Sequence, residues 1–418
     1  MSSLTYDLVV VGSGAAGLAG AIKAGRDGKK VLLLEKLSQI ATKLKATGGG
    51  RCNLSNTLDN TTFMQSFGKN GRFMTTAINK MNHKDLRNFF TSLNLETHIP
   101  DGFRIFPVTH SSTTVINALH DELKRLNIEV ICDEKVEEIF TENQKVTALK
   151  TQTTTYKTKN ILLATGGMGY PKMGATGDGF GIVKELGHTV TKLYPAMMPL
   201  STKEKWQGNC RADTISKVTI KVNIPNNNKL KKLTAKGDLI FTSTGLRGPV
   251  ILDFAREITP FLDTYNEVPI LVNLTHGMNE DEIIKTIKDK STKEPNKNII
   301  EILSFIIPSS LAIEFCKICN IDETIKYKHI KGESKNNLIR ILAWTPFTII
   351  GHDGFNKAMI TRGGISLKEI DPNTMQSKLV NGLYFAGEIV DIDGPCGGYN
   401  LQWSFSSGYL AGELLFSL

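Results

Sequence analysis

Cysteine and tryptophan are scarce in this 418-residue chain, at six and three, and no long hydrophobic run interrupts it. Cys52, Cys132, Cys210, Cys316, Cys319 and Cys396 are scattered too widely for a disulfide framework, which fits a reducing cytoplasm. The longest uncharged apolar stretch, Leu8 to Ile22, is punctuated by glycine and is too short to span a bilayer. Asp7 stands in front of it and no basic segment does, so it does not read as a secretory signal. A single Cys-x-x-C, Cys316 to Cys319, falls in a predicted helix from Ser310 without a second ligand pair, so neither a metal site nor a redox dithiol is expected. The net charge is +9, but many lysines sit in Asn/Lys-rich stretches, Asn226 to Lys232 and Lys285 to Lys297, that lack interleaved aromatic residues. Such stretches read as solvated faces rather than as a nucleic-acid surface.

What the chain does have is glycine in ordered places. Asp7 is followed by the apolar run Leu8 to Val11, then Gly12-Ser13-Gly14-Ala15-Ala16-Gly17, a helix-like stretch, a second apolar run Val31 to Leu34, and Glu35. Gly12 permits the tight turn out of a strand, Gly14 lets the backbone approach a pyrophosphate, and Gly17 lets a helix lie close to the sheet. The helix N-terminus then faces the phosphates. Glu35, twenty-three residues after Gly12, stands where a carboxylate accepts hydrogen bonds from a ribose. A carboxylate there argues against a 2′-phosphate, which leaves NAD or FAD.

The length suggests two or three domains, and the texture changes along the chain. Residues 1–194 alternate short apolar strands with helical periodicity, as in Val115 to Leu126, and end in Asn160 to Gly167, a buried strand running into glycines. Residues 195–276 and 325–345 carry alternating segments such as Val218 to Val222 and Asp238 to Phe241, separated by Asn, Gly and Pro turns, which predicts a small antiparallel β domain. Residues 277–324 read as helices, and residues 346–418 as a return to the first domain. The expected class is α/β, a discontinuous Rossmann-type FAD-binding domain with an inserted antiparallel β-barrel and a small helical domain.

The C-terminal segment decides between the cofactors. Gly382 to Glu388 is a strand that delivers an acid after Gly387, and Gly397-Gly398-Tyr399-Asn400 opens a helix carrying Ser404, Ser407, Gly408 and Gly412. Two-part FAD folds need such a strand and helix, the acid for the ribityl chain and the helix N-terminus for the flavin pyrimidine, where negative charge develops on reduction.

With Thr47-Gly48-Gly49-Gly50-Arg51-Cys52-Asn53, Gly166 to Pro171 and Thr176 to Gly179, the whole chain closely resembles the BaiN/YhiN-like family of bacterial flavoproteins, which includes proteins named aminoacetone oxidase and 3-dehydro-bile-acid reductase. The resemblance implies the discontinuous domain plan given above. It also implies that Gly12 to Gly17 hold the pyrophosphate, that Glu35 holds the adenosine ribose, and that Lys36 and Lys43 lie beside them. Gly49, Gly50, Arg51, Cys52 and Asn53 would run along the flavin, and Val136, Ala164, Thr165 and Gly166 would pack near the adenosine. Gly387 and Glu388 would take the ribityl chain, and Gly398, Tyr399, Asn400 and Leu401 the flavin edge. In Phe241 to Pro249, Ser243 replaces a histidine usual in the family and Arg247 a serine, so no acid–base role transfers to that turn. Ser111 likewise replaces a common lysine.

The reading that results is an FAD-dependent oxidoreductase that transfers hydride between flavin N5 and a small or mid-sized organic substrate. NAD(P)H or oxygen is the other redox partner. No second glycine motif follows a strand, so NADH or NADPH would bind transiently. Tyr170, Tyr399 and Cys396 are the catalytic candidates, whereas His110, His188 and His352 read as structural. An RNA-linked flavoprotein such as a tRNA-modifying enzyme, motivated by the charge, and a flavin-binding sensor without turnover are the alternatives.

Overall fold

The computed structural model describes residues 5–224 and 230–415, so part of the Asn226 to Lys232 stretch lies outside the described residues. The chain divides into two compact units, Met1–Pro195 with Ala358–Leu418, and Ala196–Lys357.

The first unit is built on a five-stranded parallel sheet in the order Leu383–Phe385, Ile161–Leu163, Leu8–Val11, Val31–Leu34, Glu129–Ile131. The central strands are apolar at every position and buried on both faces, as a parallel sheet covered on both sides requires. Each fully buried Val or Leu there contributes about 1.5–3 kcal/mol. Between the first two of these strands in sequence runs the glycine-motif helix, Ala15–Arg26.

That helix crosses the C-terminal helix, Tyr399–Gly412, at glycines. A Cβ on Gly408 would lie 2.1 Å from Ala16 O, and one on Gly412 would lie 2.4 Å from Gly20 O. The two backbones therefore touch. Gly17 has the same cause closer to the turn, since a Cβ there would lie 1.9 Å from Gly12 O. A second sheet, with strands Val136–Glu142, Lys145–Thr151 and Thr155–Thr158, and a small three-stranded sheet with Arg104–Pro107 at its centre complete this unit.

The second unit contains a closed antiparallel barrel in the order Leu200–Thr202, Gly245–Arg247, Thr234–Phe241, Thr214–Val222, Val268–Asn273, Thr345–His352. Helices Glu280–Lys293, Ile299–Leu303 and Ser309–Ile318 occupy the stretch expected to be helical. Asn279 and Asn298 each cap theirs with a reciprocal hydrogen-bonded box.

Two local expectations are corrected. Pro249–Tyr265, read as turns and strands, is a 17-residue helix whose Val250, Ile251, Phe254, Ala255 and Ile258 are buried. Pro249 stands in its first turn, where no intrahelical amide is needed, so this proline starts a helix instead of breaking a strand. The alternation read from Ile325 is a 3-10 turn and the helix Gly332–Ala343, and the last barrel strand begins at Thr345 and continues to His352. That strand lies largely in the segment expected to have returned to the first domain.

Candidate active site

At the carboxyl ends of the parallel strands the first unit forms a pocket, the place where open α/β sheets bind ligands. Its walls include Gly12, Ser13 and Gly14, Glu35 and Lys36, Lys43, Val136, and Ala164, Thr165 and Gly166. Ten of the residues proposed from sequence are thus brought to one cavity. Ala15, Ala16 and Gly17 form the helix turn behind the glycine loop.

Gly12 has φ +98°, and a Cβ on it would lie 2.6 Å from Ala164 O. Only glycine fits that crossing. A Cβ on Gly14 would meet no atom within 4 Å, so the loop presents bare backbone to open space.

Glu35 is held by the loop it faces. Its Oε2 accepts from both the amide and the hydroxyl of Ser13, and its Oε1 accepts from Leu37 N at 2.9 Å. A carboxylate has about four acceptor positions, so one on Oε1 remains for a ribose hydroxyl. Thr165 Oγ1 is a further buried polar atom of the wall, without a hydrogen-bond partner among the described residues.

Three lysines line the pocket, and each meets a carboxylate. Lys43 Nζ lies 2.8 Å from Glu388 Oε2, while Glu388 Oε1 accepts from Thr361 N at 2.9 Å. Lys36 pairs with Asp178 and also donates to Thr176, and Lys135 Nζ lies 3.1 Å from Asp178 Oδ1. Burial opposes ionisation of Asp178, but hydrogen bonds from Lys36, Thr176 and Lys135 outweigh it and hold its carboxyl down at about 2. Sequence reading missed Lys135 and Asp178. The Thr176-Gly177-Asp178-Gly179 motif was the available signal.

The residues expected along the flavin come together in a second group. Gly49 and Gly50 have φ +66° and +85°, and open space where a side chain would stand. Arg51 is exposed, with its guanidinium 5.4 Å from the Phe106 ring centre and its Nε donating to Gly48 O. Cys52 is fully buried, and burial pushes its thiol up to about 12 against a smaller opposing hydrogen bond with Thr47. It is a packed thiol and not a thiolate at neutral pH.

In the amide orientation that satisfies its neighbours, Asn53 donates to Ser55 O at 2.9 Å and accepts from Gly398 N at 3.0 Å. Asn56 Nδ2 donates to Gly397 O at 3.0 Å. The Thr47–Asn53 loop is thereby tied to the start of the C-terminal helix. Asn400 spans Gly394, whose amide it accepts and whose carbonyl it donates to, and Gly387 N donates to Ser407 Oγ at 2.9 Å. Leu401 packs against the core of this unit.

The three catalytic candidates differ in setting. Tyr399 stacks on Phe63 at 5.2 Å between ring centres, with Phe67 and Phe103 around it, and is buried. Its ring is a packing group. Tyr170 and Cys396 are half-buried, Tyr170 with φ +57° at the start of the turn Pro171–Met173.

The histidines are engaged elsewhere. His188 is buried against Phe385 with Nε2 2.7 Å from Ser377 Oγ, His110 lies edge-on to His98, and His352 Nδ1 accepts from Gly354 N. Burial lowers the pKa of both His188 and His352. Cys316 and Cys319 are buried and their thiols are pushed up by burial to about 12 and about 11. Among the described residues no group of three or more His, Cys, Asp or Glu is placed to hold a metal, and no helix is long and apolar enough to cross a membrane.

A glycine loop with bare backbone, an acid with one acceptor position left, and a second glycine loop tied to a helix N-terminus fit FAD. The fold and the pocket are those of a Rossmann-type flavoprotein, an FAD-dependent oxidoreductase. Residues 6–414 match the HI0933-like protein Rossmann domain, and the chain belongs to that family. It is 29% identical over 410 residues to the 3-dehydro-bile acid delta(4,6)-reductase of Clostridium scindens, covering 97% of each chain. It is 27% identical over 404 residues to the ribosomal RNA dihydrouridine synthase of Haemophilus influenzae, covering 96% of each. Among solved structures, the 3-ketosteroid-delta4-(5alpha)-dehydrogenase from Rhodococcus jostii RHA1 is similar at a TM-score of 0.50 and 15% identity, over 98% of this chain and 96% of that one, a likeness of fold.

Proposed function

We propose that this protein reduces a carbon–carbon double bond conjugated to a carbonyl, taking electrons from NADH or NADPH. The observation that carries the proposal is that two full-length relatives with unlike substrates share one kind of bond. A 3-dehydro bile acid with Δ4 and Δ6 unsaturation is a conjugated ketone, and the double bond lost when uridine becomes dihydrouridine is conjugated to a ring carbonyl. Saturating an α,β double bond of this kind adds a hydride to the carbon β to the carbonyl and a proton to the carbon α to it.

When bound, FAD supplies the hydride from N5. The remaining work falls to the chain. The first-turn amides of Ala15–Arg26 hold the pyrophosphate, Glu35 takes one ribose hydroxyl through Oε1, and Glu388 serves the ribityl chain. The N-terminus of Tyr399–Gly412 would hold the flavin pyrimidine, and its partial positive charge would favour negative charge there. Tyr170 or Cys396 delivers the proton, and Tyr170→Phe and Cys396→Ala separate the two. The sparse, scattered cysteines, with Cys52, Cys210, Cys316 and Cys319 buried, support a cytoplasmic setting for the enzyme.

The second reading, reduction of uridine in RNA, is favoured by the net charge of +9 together with the Haemophilus relative. The test offers the purified protein a steroid enone and, separately, an unmodified ribosomal RNA transcript, anaerobically with NADH or NADPH, and weighs the products. Gain of two hydrogens by either substrate supports the reductase and names its substrate class. Neither substrate changed, with nucleotide consumed only once oxygen is admitted, indicates an oxidase instead.

A further inference from the structure

We infer that Asp178 determines which adenine nucleotide the pocket retains, by withholding Lys36 and Lys135 from a 2′-phosphate. The inference rests on the reading of this pocket as the adenosine end of the FAD site. Lys36 directly follows Glu35, the acid with an acceptor position left for a ribose hydroxyl. Lys135 follows Glu134, whose amide donates to Glu35 O at 2.9 Å. Both lysines line the pocket, and cations beside an adenosine ribose are the pattern that accommodates a 2′-phosphate. Glu35 alone therefore does not account for selectivity.

Asp178 removes the conflict. Its Oδ2 takes Lys36 and its Oδ1 takes Lys135, with Thr176 donating to Oδ2 as well. The carboxylate is the first residue of the helix Asp178–Glu185, which begins after Gly177 at φ +80°. The approach to that helix also lies on the pocket wall: a Cβ on Gly174 would be 2.9 Å from Leu37 Cδ1. The helix start is thus stitched to the ends of two strands by charge, and each ammonium is drawn onto the one carboxylate. The third lysine of the pocket, Lys43, is paired with Glu388. With the Asp178 carboxyl held at about 2, the pairing is complete at neutral pH.

The holoenzyme is equilibrated with increasing ADP or adenosine 2′,5′-bisphosphate, and released FAD is read by its fluorescence. For wild type, ADP displaces FAD at the lower concentration. Asp178→Asn keeps the shape but frees two ammoniums, and the ratio of half-displacing concentrations shifts toward the bisphosphate by about tenfold or more. Lys135→Met, at a side chain 43% exposed, removes one of the two cations, leaves Lys36 and Asp178 as a balanced pair, and shifts the ratio the other way. Because the two variants move it in opposite directions, general loosening of the fold cannot imitate the result, and Lys135→Met still decides the matter if Asp178→Asn does not fold. Ratios unchanged in both variants overturn the assignment to Asp178. Failure of both nucleotides to displace FAD from wild type overturns instead the reading of the pocket as the adenosine end.

Discussion

Lys43 Nζ and Glu388 Oε2 lie 2.8 Å apart although 345 residues separate them in sequence. The contact joins the helix Thr42–Ala46, beside the glycine loop, to the turn Gly387–Ile389 at the end of the Leu383–Phe385 strand, so both halves of the discontinuous domain meet at the cofactor pocket. Both side chains are about one-quarter exposed or less, at 27% and 19%, and Glu388 also accepts from Thr361 N. Glu388→Gln removes the charge and leaves Lys43 without its carboxylate. Flavin content of the purified protein, read as visible absorbance relative to protein absorbance, is expected to fall, with an affinity loss of about tenfold.

Glu35→Ala removes three hydrogen bonds at once, two from Ser13 and one from Leu37 N. It releases the glycine loop as well as the ribose. FAD affinity is expected to drop by about 2–3 kcal/mol, a loss of roughly 30- to 150-fold. Dialysis against buffer followed by flavin fluorescence of the dialysate measures it. Unchanged retention would refute the ribose assignment.

Two glycines separate a packing constraint from a propensity effect. Gly408→Ala would place a Cβ 2.1 Å from a backbone oxygen of the crossing helix, and neither backbone can yield without moving the sheet. A loss of several kcal/mol, or failure to fold, is expected. Gly181→Ala places a Cβ in open space on the exposed side of Asp178–Glu185, and a gain of about 0.5–1 kcal/mol is expected from helix propensity. Thermal denaturation of the two variants against wild type decides both.

Asp178 has a pH signature. Its folded carboxyl, at about 2, is below the ordinary 3.8, so its contribution to stability is complete above that ordinary value. That contribution is lost as pH falls from about 4 toward 2. The melting temperature of wild type is expected to fall more steeply than that of Asp178→Asn over that interval, and the two curves should run parallel at neutral pH. Parallel curves throughout would show that the carboxyl is not held down.

Much of the site was legible because its determinants are local. The turn, close approach and helix contact of Gly12, Gly14 and Gly17 follow from spacing alone, and Glu35 from the end of the next strand. The Asp178 contact was not legible, since its partner Lys36 is 142 residues away and nothing in a single sequence pairs them. Asn53 and Asn400 were expected along the flavin, and the bonds of their carboxamides to Gly398 and Gly394 were not legible beforehand. In the second unit, prolines at positions 249 and 260 disguised a helix as a series of turns, because a proline in the first turn of a helix and one between strands look alike in sequence.

The most direct measurement of the central claim is the visible spectrum of the purified protein under anaerobic conditions, before and after NADH, then NADPH, then a steroid enone. The expected result is a bound flavin band that one nucleotide bleaches and the enone restores. A band that persists through both nucleotides and bleaches only with an amine such as aminoacetone would contradict the reductase assignment, and a protein that carries no flavin band would contradict the cofactor site itself.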